Sequence, residues 1–591
     1  MKIIRRHTLI KQKALTAGSV GLLLSAVALA GCGTTSTTNA TSSPHTGGTA
    51  VVALATQTSP NWFFPMLSAA AFSDVNTQVD SMIYRPLIMF NKQDEIDYGR
   101  SLVSNITYNS TGTRYVLTMN PKYKWSNGHA ITAQDVVFTW NIMKAASGST
   151  APWTYGGAGI GGLPVRWQSV ATDGANKVVV TLTTPSNPQW FIHNGLGQIW
   201  PVPESVWNKD PNNMTAELKF IQSVANSPSN AVYDVVDGAY HFQSFAPNSH
   251  WTFVPNPSFT GHKSSLQKVI FEYESSDDAE FTALKSGTVT MGYLPFSSWG
   301  ARSQLTSDVL TIPYQLGFNY LILNFSPKAP GGLGPIFSKL YVRQALQMGV
   351  DEPGIVQSIF NGNATQEGGP VAPLPKTPYV DPSLSKPLYS FNPAKGKKLL
   401  EQHGWHEVGG VMTRHGIKLE FTFLAVSGDQ AQSNLQQLLK SDWAQEGIVV
   451  NIQQQQFNNI IADANQEGTD PEKWSMADWG GGWTYQPDYY PTGGGLFATN
   501  AASNFQGYSS KTMDQLILKS YAPGTTAQTL QALYNYEKFA AANLPVIWLP
   551  YPASSYAGAS MPEHAKTLHG TVSTFNPITD MIFPNYWTVS Q

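Results

Sequence analysis

The sequence predicts an α/β protein built from more than one domain. Short strands and capped helices follow one another along most of the chain, an order typical of mixed α/β architecture. Residues 419–453 predict strand, helix and strand in succession, a βαβ unit that calls for a parallel pair of strands. The chain has 591 residues, more than one hydrophobic core usually organises, so two or three domains are expected.

The amino terminus has the features of an export signal. Basic side chains and no acidic ones occupy the first thirteen residues, and an apolar run from Ala14 to Ala30 follows. This order predicts a signal peptide over residues 1–31. The pair Arg5-Arg6 leaves a twin-arginine signal as an alternative, which Thr8 disfavours because an apolar residue is usual there.

Cys32, the sole cysteine of the sequence, follows directly on Leu29-Ala30-Gly31. Small residues before a cysteine resemble the bacterial lipobox, which implies that Cys32 is lipidated and anchors an exported protein to the outer face of the cytoplasmic membrane. The alternative is a chance cysteine in an uncleaved anchor. Lipidation would leave no free thiol for disulfides, metal binding or catalysis. Residues 33–48 carry no large apolar side chain, so residues 32–48 are expected to form the lipidated end and a flexible tether.

Composition excludes several classes of partner. Charged residues make up 13% of the chain against a usual figure of about 25%. The formal net charge is -2, so neither a nucleic-acid footprint nor a polybasic membrane surface is expected. Few titratable groups also predict tolerance of acidic surroundings. Aromatic residues reach 12%, a supply that suits either large cores or ligand-facing clefts.

The elements follow from alternation, apolar periodicity and capping residues. The predicted strands are 48–54, 113–119, 177–182, 251–257, 268–274, 320–324, 419–425, 448–453 and 545–549. One helix is predicted to begin after Thr132. Further helices are predicted over residues 277–285, 342–350, 353–360, 393–403 and 432–445. Thr132 and Asp135 form a variant of the capping box, and Gly287 suits a left-handed helix end.

Motifs for catalysis are missing or lack their context. Residues 157–162 fit G-x-G-x-x-G, but no strand precedes them and no helix follows, so a loop is expected. The sequence contains no G-x-S-x-G, Walker loop or H-E-x-x-H. His403, His406 and His415 straddle a helix end and a glycine turn, which argues against a metal site. We therefore expect no catalytic residue, no metal and no cofactor.

Several segments resemble the family-5 extracellular solute-binding proteins of ABC importers, the group with dipeptide-, oligopeptide- and nickel-binding members. Residues 124–138, KWSNGHAITAQDVVF, are similar to the family's W-S-D-G-x-P-x-T-A-x-D-V-V-F, and Asp237-Gly238-Ala239-Tyr240 to its G-T-G-P-Y. Shorter matches occur at residues 256–259, 283–290 and 342–351. For Arg343 and Asp351, within the last of these, an ion pair of the scaffold is expected rather than a ligand contact.

The resemblance implies a two-lobed periplasmic-binding-protein-like fold (type II, cluster C), with an extra subdomain in lobe I and a hinge between the lobes. The implied boundaries are 49–84, 186–312 and 546–591 for lobe I, 85–185 for its subdomain and 313–545 for lobe II. Lobe II would thus end before Trp548. Two chain crossings make a hinge, so the cleft between the lobes is the expected binding site.

In peptide-binding relatives a loop of the form W-x-x-D-Y-x-D-P supplies a carboxylate for the peptide's amino terminus. The similar loop here carries Gln486 at that position, which puts recognition of a free amine in doubt. Asp488 is the nearest substitute. The ligand-binding residues expected in the cleft are Trp62, Trp479, Trp483, Tyr485, Asp488 and Tyr489.

The resemblance implies a binding protein that captures a peptide or another small solute and passes it to the permease subunits of an importer. It would act as a monomer, held to the membrane through the lipid, without nucleic acid. Di- and oligopeptides, oligosaccharides and chelated metals all stay open as ligands. The alternatives are a secreted hydrolase with paired carboxylates such as Asp478 and Asp488, and a sensory or adhesion lipoprotein on the same scaffold.

Overall fold

The computed structural model describes residues 47–464, 471–553, 561–564 and 568–589. The predicted signal peptide, Cys32 and almost all of the predicted tether lie outside these residues. Strands and helices alternate through the described chain and build three sheets of four or more strands. The predicted mixed α/β class is therefore confirmed.

The strands are β1 (Thr49–Ala53), β2 (Val103–Tyr108), β3 (Arg114–Met119), β4 (Trp167–Thr172), β5 (Lys177–Leu182), β6 (Tyr240–Ala246), β7 (His250–Pro255), β8 (Lys268–Glu272), β9 (Asp308–Thr311), β10 (Gly317–Leu323), β11 (Ala364–Thr365), β12 (His406–Val408), β13 (Val411–Arg414), β14 (Ile417–Lys418), β15 (Glu420–Val426), β16 (Val449–Gln455), β17 (Met476–Asp478), β18 (Trp483–Thr484), β19 (Ile547–Leu549), β20 (Tyr551–Pro552), β21 (Met561–His564), β22 (Leu568–His569) and β23 (Thr588–Val589).

The α-helices are α1 (Asp74–Ile83), α2 (Ala133–Ala146), α3 (Pro188–Trp190), α4 (Glu204–Trp207), α5 (Met214–Val224), α6 (Asp277–Ser286), α7 (Gly334–Phe337), α8 (Leu340–Met348), α9 (Glu352–Ser358), α10 (Pro393–Gln402), α11 (Gln430–Gln445), α12 (Phe457–Asp463), α13 (Lys511–Ser520), α14 (Thr526–Asn543) and α15 (Thr571–Thr574).

The first sheet has the order β1-β8-β7-β6, with β1 parallel to β8 and the other pairs antiparallel. The second sheet, β2-β3-β5-β4, is antiparallel throughout and packs against α2. As predicted, α2 starts at a capping box in which Thr132 and Asp135 satisfy each other's backbone N–H groups. Gly287 ends α6 in the left-handed region with φ of 75°, also as predicted.

The third sheet runs β16-β15-β17-β10-β18, and β19 also pairs with β10. Strands β15 and β16 are parallel and α11 connects them, which confirms the predicted βαβ unit. Phe423 of β15 and Leu439 and Trp443 of α11 are fully buried in one apolar cluster with Leu346 of α8. This cluster packs the second half of α11 against the middle of β15 and against α8.

The boundary expected before Trp548 is wrong. Trp548 pairs with Tyr320 in the middle of β10, and all three residues of β19 are buried in the third sheet. The short strand β20 follows it and pairs with β11. The next strand, β21, pairs with β9, which lies before residue 313. The chain thus returns to its first part at β21. β19 is apolar and buried beside β10 in the third sheet, so the crossing lies later than predicted.

Arg343 and Asp351 are scaffold residues, but they do not form the expected ion pair. The Arg343 guanidinium donates at 2.9 Å to the backbone oxygen of Asn543 and at 2.8 Å to that of Phe337. It therefore satisfies one carbonyl at the end of α7 and one at the end of α14. Asp351 caps α9 by accepting from the backbone N–H of Gly354.

Residues 157–162 form turns and a short 3₁₀ segment, as the loop prediction requires. None of the helices in the described ranges is both long and apolar enough to cross a bilayer.

Candidate functional site

A cavity of about 130 Å³ lies between the third sheet and segments from the first part of the chain. One wall comes from residues 55, 56 and 58, just beyond β1, and from residues 72–77 at the start of α1. The opposite wall comes from β10, the start of α11, α12 and residues 479–484 and 486. The cavity is therefore enclosed by segments far apart in sequence.

The loop from β17 to β18 carries three glycines in a row, and one of them is required by its surroundings. Gly482 has φ of 85°, and a Cβ there would collide with the backbone oxygen of Phe318 in β10. Only glycine combines this backbone conformation with so close an approach to the neighbouring strand. The loop therefore turns sharply and brings Trp479 and Trp483 to the same cavity.

Both tryptophans are held by defined contacts. The Trp479 indole N–H donates to the Tyr320 hydroxyl at 2.8 Å, and its ring meets Phe505 edge to face. Trp483 stacks on Phe72 from the opposite wall, with ring centroids 5.5 Å apart and an angle of 24°. The indole N–H of Trp483 is buried without a hydrogen-bond partner among the described residues. A bound molecule could therefore accept a hydrogen bond at this point.

Asp74 is the first residue of α1, next to the N-cap Ser73. Its carboxylate accepts a 2.8 Å hydrogen bond from the Thr484 hydroxyl, which comes from the other wall. Burial raises the pKa of Asp74 to about 6, against the hydrogen bond from Thr484, which lowers it.

Asp429 caps α11 by accepting from the backbone N–H of Gln432 at 2.9 Å. Burial, and then the carboxylate of Asp277 nearby, raise the pKa of Asp429 well above its ordinary value. The Gln432 amide nitrogen donates to the backbone oxygen of Gly480 at 2.6 Å. Its amide oxygen is buried in the cavity wall and accepts no hydrogen bond within the described chain.

Direct hydrogen bonds join the two walls around the cavity. The Ser427 hydroxyl bonds to the Gln57 side-chain oxygen at 2.6 Å, and the backbone N–H of Gln430 donates to Asp277 at 2.9 Å. Asn458 donates to the backbone oxygen of Ser59 at 3.1 Å. These contacts, with that of Thr484, hold the two walls together around the cavity.

Trp479 and Trp483 are thus brought together as the sequence predicts, and Gln486 lies in the same wall. Trp62 does not line the cavity. Its indole N–H donates to Met66 and its ring packs against Trp153 in the core. Tyr485 is fully buried, and its hydroxyl donates to the backbone oxygen of Pro370.

Asp488 and Tyr489 also point away from the cavity, because the chain turns inward after Gln486. The Asp488 carboxylate is 2% exposed and accepts a hydrogen bond from the Asn194 amide. Burial raises the pKa of Asp488 to about 8, so the group is suited to a neutral, protonated state. Tyr489 packs on Phe90. Trp62, Tyr485, Asp488 and Tyr489 therefore do not line this cavity, and their expected contact with a ligand stays a prediction.

The pairing of Asp478 and Asp488 that a hydrolase would need is not at this cavity. Asp478 accepts from the backbone N–H of Gly480, and neither carboxylate is among the lining residues. Within the described ranges, no group of three or more His, Cys, Asp or Glu residues is placed to hold a metal ion. His403 instead stacks on Tyr341, with ring centroids 3.8 Å apart.

A second, larger cavity of about 1020 Å³ lies between residues 147–165 and residues 492–502. Asp488 borders it, together with Trp190 and Tyr521. Its lining mixes glycines, alanines and hydroxyl-bearing residues with the aromatic rings of Trp153, Trp190 and Tyr521.

Sequence reasoning missed Phe72, Asp74, Asp429 and Gln432. A signal existed for the two carboxylates, because Ser73-Asp74 and Ser427-Gly428-Asp429 are helix-start patterns that place polar groups at the edge of a sheet. No sequence signal shows that these two helix starts face each other. That proximity depends on the tertiary arrangement.

The model of the family described as bacterial extracellular solute-binding proteins, family 5, matches residues 99–503. The oligopeptide-binding protein AppA of Bacillus subtilis (strain 168) is 21% identical over 566 residues, which cover 92% of this chain and 94% of AppA. These similarities extend over nearly the whole molecule.

Solved structures show the same fold. AppA from Bacillus subtilis, in complex with a nonapeptide, has a TM-score of 0.78 at 19% identity and covers 93% of this chain and 100% of its own. NikZ from Campylobacter jejuni, in complex with Ni(L-His), has a TM-score of 0.69 at 19% identity, with coverages of 88% and 95%. The fold is thus the two-lobed α/β fold of this group. Since the family model matches more than half of the chain, the chain belongs to family 5 of the bacterial extracellular solute-binding proteins, which serve ABC importers.

Proposed function

We propose that this protein captures a peptide in the cavity between its two lobes and delivers it to the permease subunits of an ABC importer. The observation that carries the proposal is the aromatic cavity whose walls come from both parts of the chain, with Phe72 facing Trp483. Aromatic side chains bury large faces at little entropic cost, which suits capture of a partly apolar solute. AppA, which holds a nonapeptide, supports a peptide as the ligand class.

Capture couples to closure because the ligand contacts both walls at once. The hydrogen bonds from Thr484 and Gln430 run from one wall to the other, so separation of the walls would break them. A ligand that touches Trp483 on one side and Phe72 on the other adds to these bonds and shifts the population towards the closed state. The permease would then receive a ligand-loaded, closed protein.

The lobes are proposed to follow the division implied by the sequence, with lobe I in residues 49–312 and the carboxyl terminus, its subdomain in residues 85–185, and lobe II from residue 313. The end of lobe II is moved beyond β20, since β19 and β20 pair with strands of the second part. Two chain crossings then serve as the hinge.

Lipid attachment through Cys32 is proposed to hold the protein at the outer face of the cytoplasmic membrane. Replacing Cys32→Ser should release the mature protein, since lipidation would supply the anchor. Fractionation of cells after a salt wash measures this. Membrane retention of the variant would contradict the proposal.

The peptide function is tested by native mass spectrometry of protein purified without added ligand. We expect co-purified peptides that leave on unfolding, and calorimetry with synthetic copies should give direct binding without turnover. Hydrolysis of those peptides by the purified protein would favour the hydrolase alternative. Failure to co-purify with permease subunits from membranes would favour a sensory or adhesion role.

A further inference from the structure

The charges lining the aromatic cavity have one sign. Asp74 and Asp429 contribute carboxylates from opposite walls, and the lining contains no Lys, Arg or His within the described part of the chain. A carboxylate in an apolar enclosure is costly unless a positive charge or several hydrogen-bond donors offset it. The protein supplies Asp74 with one side-chain donor, the hydroxyl of Thr484.

The groups behind these two carboxylates add no positive charge. Asp277 and Asp478 act on Asp429 and raise its pKa further, after burial. Asp580 and the Tyr551 phenol lie near Asp74. After burial, the negative charge of Asp74 further raises the pKa of both groups. Thr484 and the backbone N–H of Gln432 offset the charges of Asp74 and Asp429 in part, and the walls carry a net negative potential whenever either carboxyl group ionises.

The cavity wall also contains a buried hydrogen-bond acceptor, the amide oxygen of Gln432. The amide oxygen of Gln432 lies in the wall, the residue is 1% exposed, and no described group donates to that oxygen. Its amide orientation is fixed, because the nitrogen donates to the backbone oxygen of Gly480. A buried acceptor without a donor is expensive unless a ligand provides the N–H or O–H. The Gln432 amide oxygen thus lacks a hydrogen-bond donor among the described residues.

The aromatic walls suit the same kind of group. Trp479 and Tyr320 are linked by a hydrogen bond on one side, and the stacked pair of Phe72 and Trp483 forms part of the enclosure. Aromatic faces attract cations, with the largest effect where water is excluded. Carboxylates, a lone acceptor and aromatic faces together define a site for a positively charged donor.

We infer that the cavity selects a ligand carrying an ammonium or guanidinium group, which sits between Asp74 and Asp429 and donates to Gln432. This inference deepens the proposed function and rests on it for the location of the ligand. Gln486 is neutral and cannot pair with a positive charge. Asp74 and Asp429, which lie outside that loop, would recognise the charge instead. Because the carboxylates belong to opposite walls, the bound cation joins the walls and favours closure.

Three synthetic peptides test the inference by calorimetry: tetra-alanine, its N-acetyl amide, and the same blocked peptide with one alanine replaced by lysine. We expect the blocked alanine peptide to bind about thirtyfold or more weakly than the better of the two charged peptides. Tight binding of tetra-alanine places an α-amino group in the site. Tight binding of the blocked lysine peptide places a basic side chain there.

The variants Asp74→Asn and Asp429→Asn, with Asp278→Asn as a matched control on the surface, complete the test. Each cavity variant should lose most of the preference for the charged peptide, and the control should keep it. Wild-type affinity for the charged peptide should rise as the pH increases from 5 to 7, because the carboxylates must ionise to pair with it. Asparagine preserves the shape of aspartate, and the thermal unfolding midpoint of each variant verifies that it folds.

The outcomes separate this inference from the proposed function. Equal binding of all three peptides, unchanged in the variants, would overturn the cation site and leave peptide capture standing. Binding of none would count against peptide capture. In that case the ligand that co-purifies decides the cation site: a positively charged ligand whose binding is lost in Asp429→Asn supports it, and a neutral or anionic ligand overturns it.

Discussion

Two groups of carboxyls in this protein have raised pKa values and different surroundings. Asp74 and Asp429 border the aromatic cavity. The second group, which we call the sealed cluster, consists of Glu352, Glu367 and Glu537 and lies in the packed interior of the second part of the chain. In both groups burial is the main cause that raises the carboxyl pKa.

The sealed cluster has no access for a ligand. Glu367 is fully buried, and burial and the nearby carboxyl of Glu352 raise its pKa well above the ordinary value. Its backbone N–H donates to Glu352 at 2.7 Å, while Glu537 accepts from the backbone N–H of Asp381. Lys538, at the margin, pairs with Asp381 at 3.2 Å. Within the cluster the carboxyls avoid the cost of burial by staying protonated.

A raised carboxyl pKa has one consequence next to a cavity and another in the packed interior. A carboxyl next to a cavity can ionise when a positively charged ligand binds beside it. Its raised pKa therefore favours ligands that carry a positive charge. A buried carboxyl that no ligand can reach keeps its proton in the folded state. Its raised pKa therefore makes the stability of the fold depend on pH. Four predictions test this distinction.

The largest effect is expected on the pH dependence of unfolding. Burial raises the pKa of Glu352 and Asp488 to about 8 and that of Glu446 to about 9. A raised folded pKa means that the folded state holds the proton, so the stabilisation is complete below about pH 4 and is lost as the pH rises through the folded pKa. We expect the unfolding midpoint to fall by about 10 °C between pH 5 and pH 8.

Calorimetric scans at constant ionic strength from pH 4 to pH 8 measure this fall. A midpoint that increases towards neutral pH would contradict the protonated state of the sealed cluster. The scarcity of charged residues also predicts acid tolerance, but through weaker repulsion between surface charges. High salt distinguishes the causes, since it screens surface charges and leaves buried carboxyls almost unchanged.

The second prediction concerns affinity at the cavity. Trp483→Ala removes an aromatic face that stacks on Phe72, so peptide affinity should fall about thirtyfold. Asp488→Asn should have a much smaller effect, because Asp488 bonds to Asn194 outside the cavity. Trp299→Ala, at a partly exposed position remote from the lining, is the control. Loss of binding in Asp488→Asn with retention in Trp483→Ala would reverse the assignment.

The third prediction separates the two groups of carboxyls by substitution. Glu367→Gln removes a proton-binding group from the sealed cluster and should stabilise the protein at pH 7 by on the order of 2 kcal/mol, with little change at pH 4. Affinity for peptide should stay the same. Denaturant titrations at both pH values measure the difference. An equal effect at pH 4 and pH 7 would mean that packing, rather than protonation, accounts for it.

The sequence predicts much of the scaffold because local signals control it. The capping box at Thr132, the glycine stop at Gly287 and the βαβ unit at residues 419–453 depend on neighbours in the chain. The boundary before Trp548 fails for a long-range reason. Whether an apolar strand such as β19 ends one sheet or joins another depends on the partner strand, which the local pattern does not contain.

The cavity is predictable only in part for the same reason. The glycines around Trp479 and Trp483 indicate an aromatic loop, and those two side chains do reach the cavity. Tyr485 and Asp488 belong to the same loop, yet they turn inward to Pro370 and Asn194. Sequence proximity does not reveal the direction of a side chain in an irregular segment, and hydrogen-bond partners hundreds of residues away decide it.

The smallest effect is expected for Thr484→Val, which removes the hydrogen bond to Asp74 and keeps the shape of the side chain. That bond lowers the pKa of Asp74, so its loss raises the pKa further and leaves fewer ionised carboxylates at pH 6. Affinity for a positively charged peptide should decrease about fivefold at pH 6. At pH 8 the decrease should be smaller, since Asp74 then ionises in both proteins.

The unfolding midpoint of Thr484→Val provides the contrast with the sealed cluster. Thr484 is partly exposed and contacts a group at the cavity edge, so the midpoint should change by little at any pH. A loss of affinity that is the same at pH 6 and pH 8 would show that the hydroxyl acts by joining the two walls. A loss that shrinks with increasing pH would show that it acts by keeping Asp74 ionised, which is the property that distinguishes the cavity carboxylates from the sealed ones.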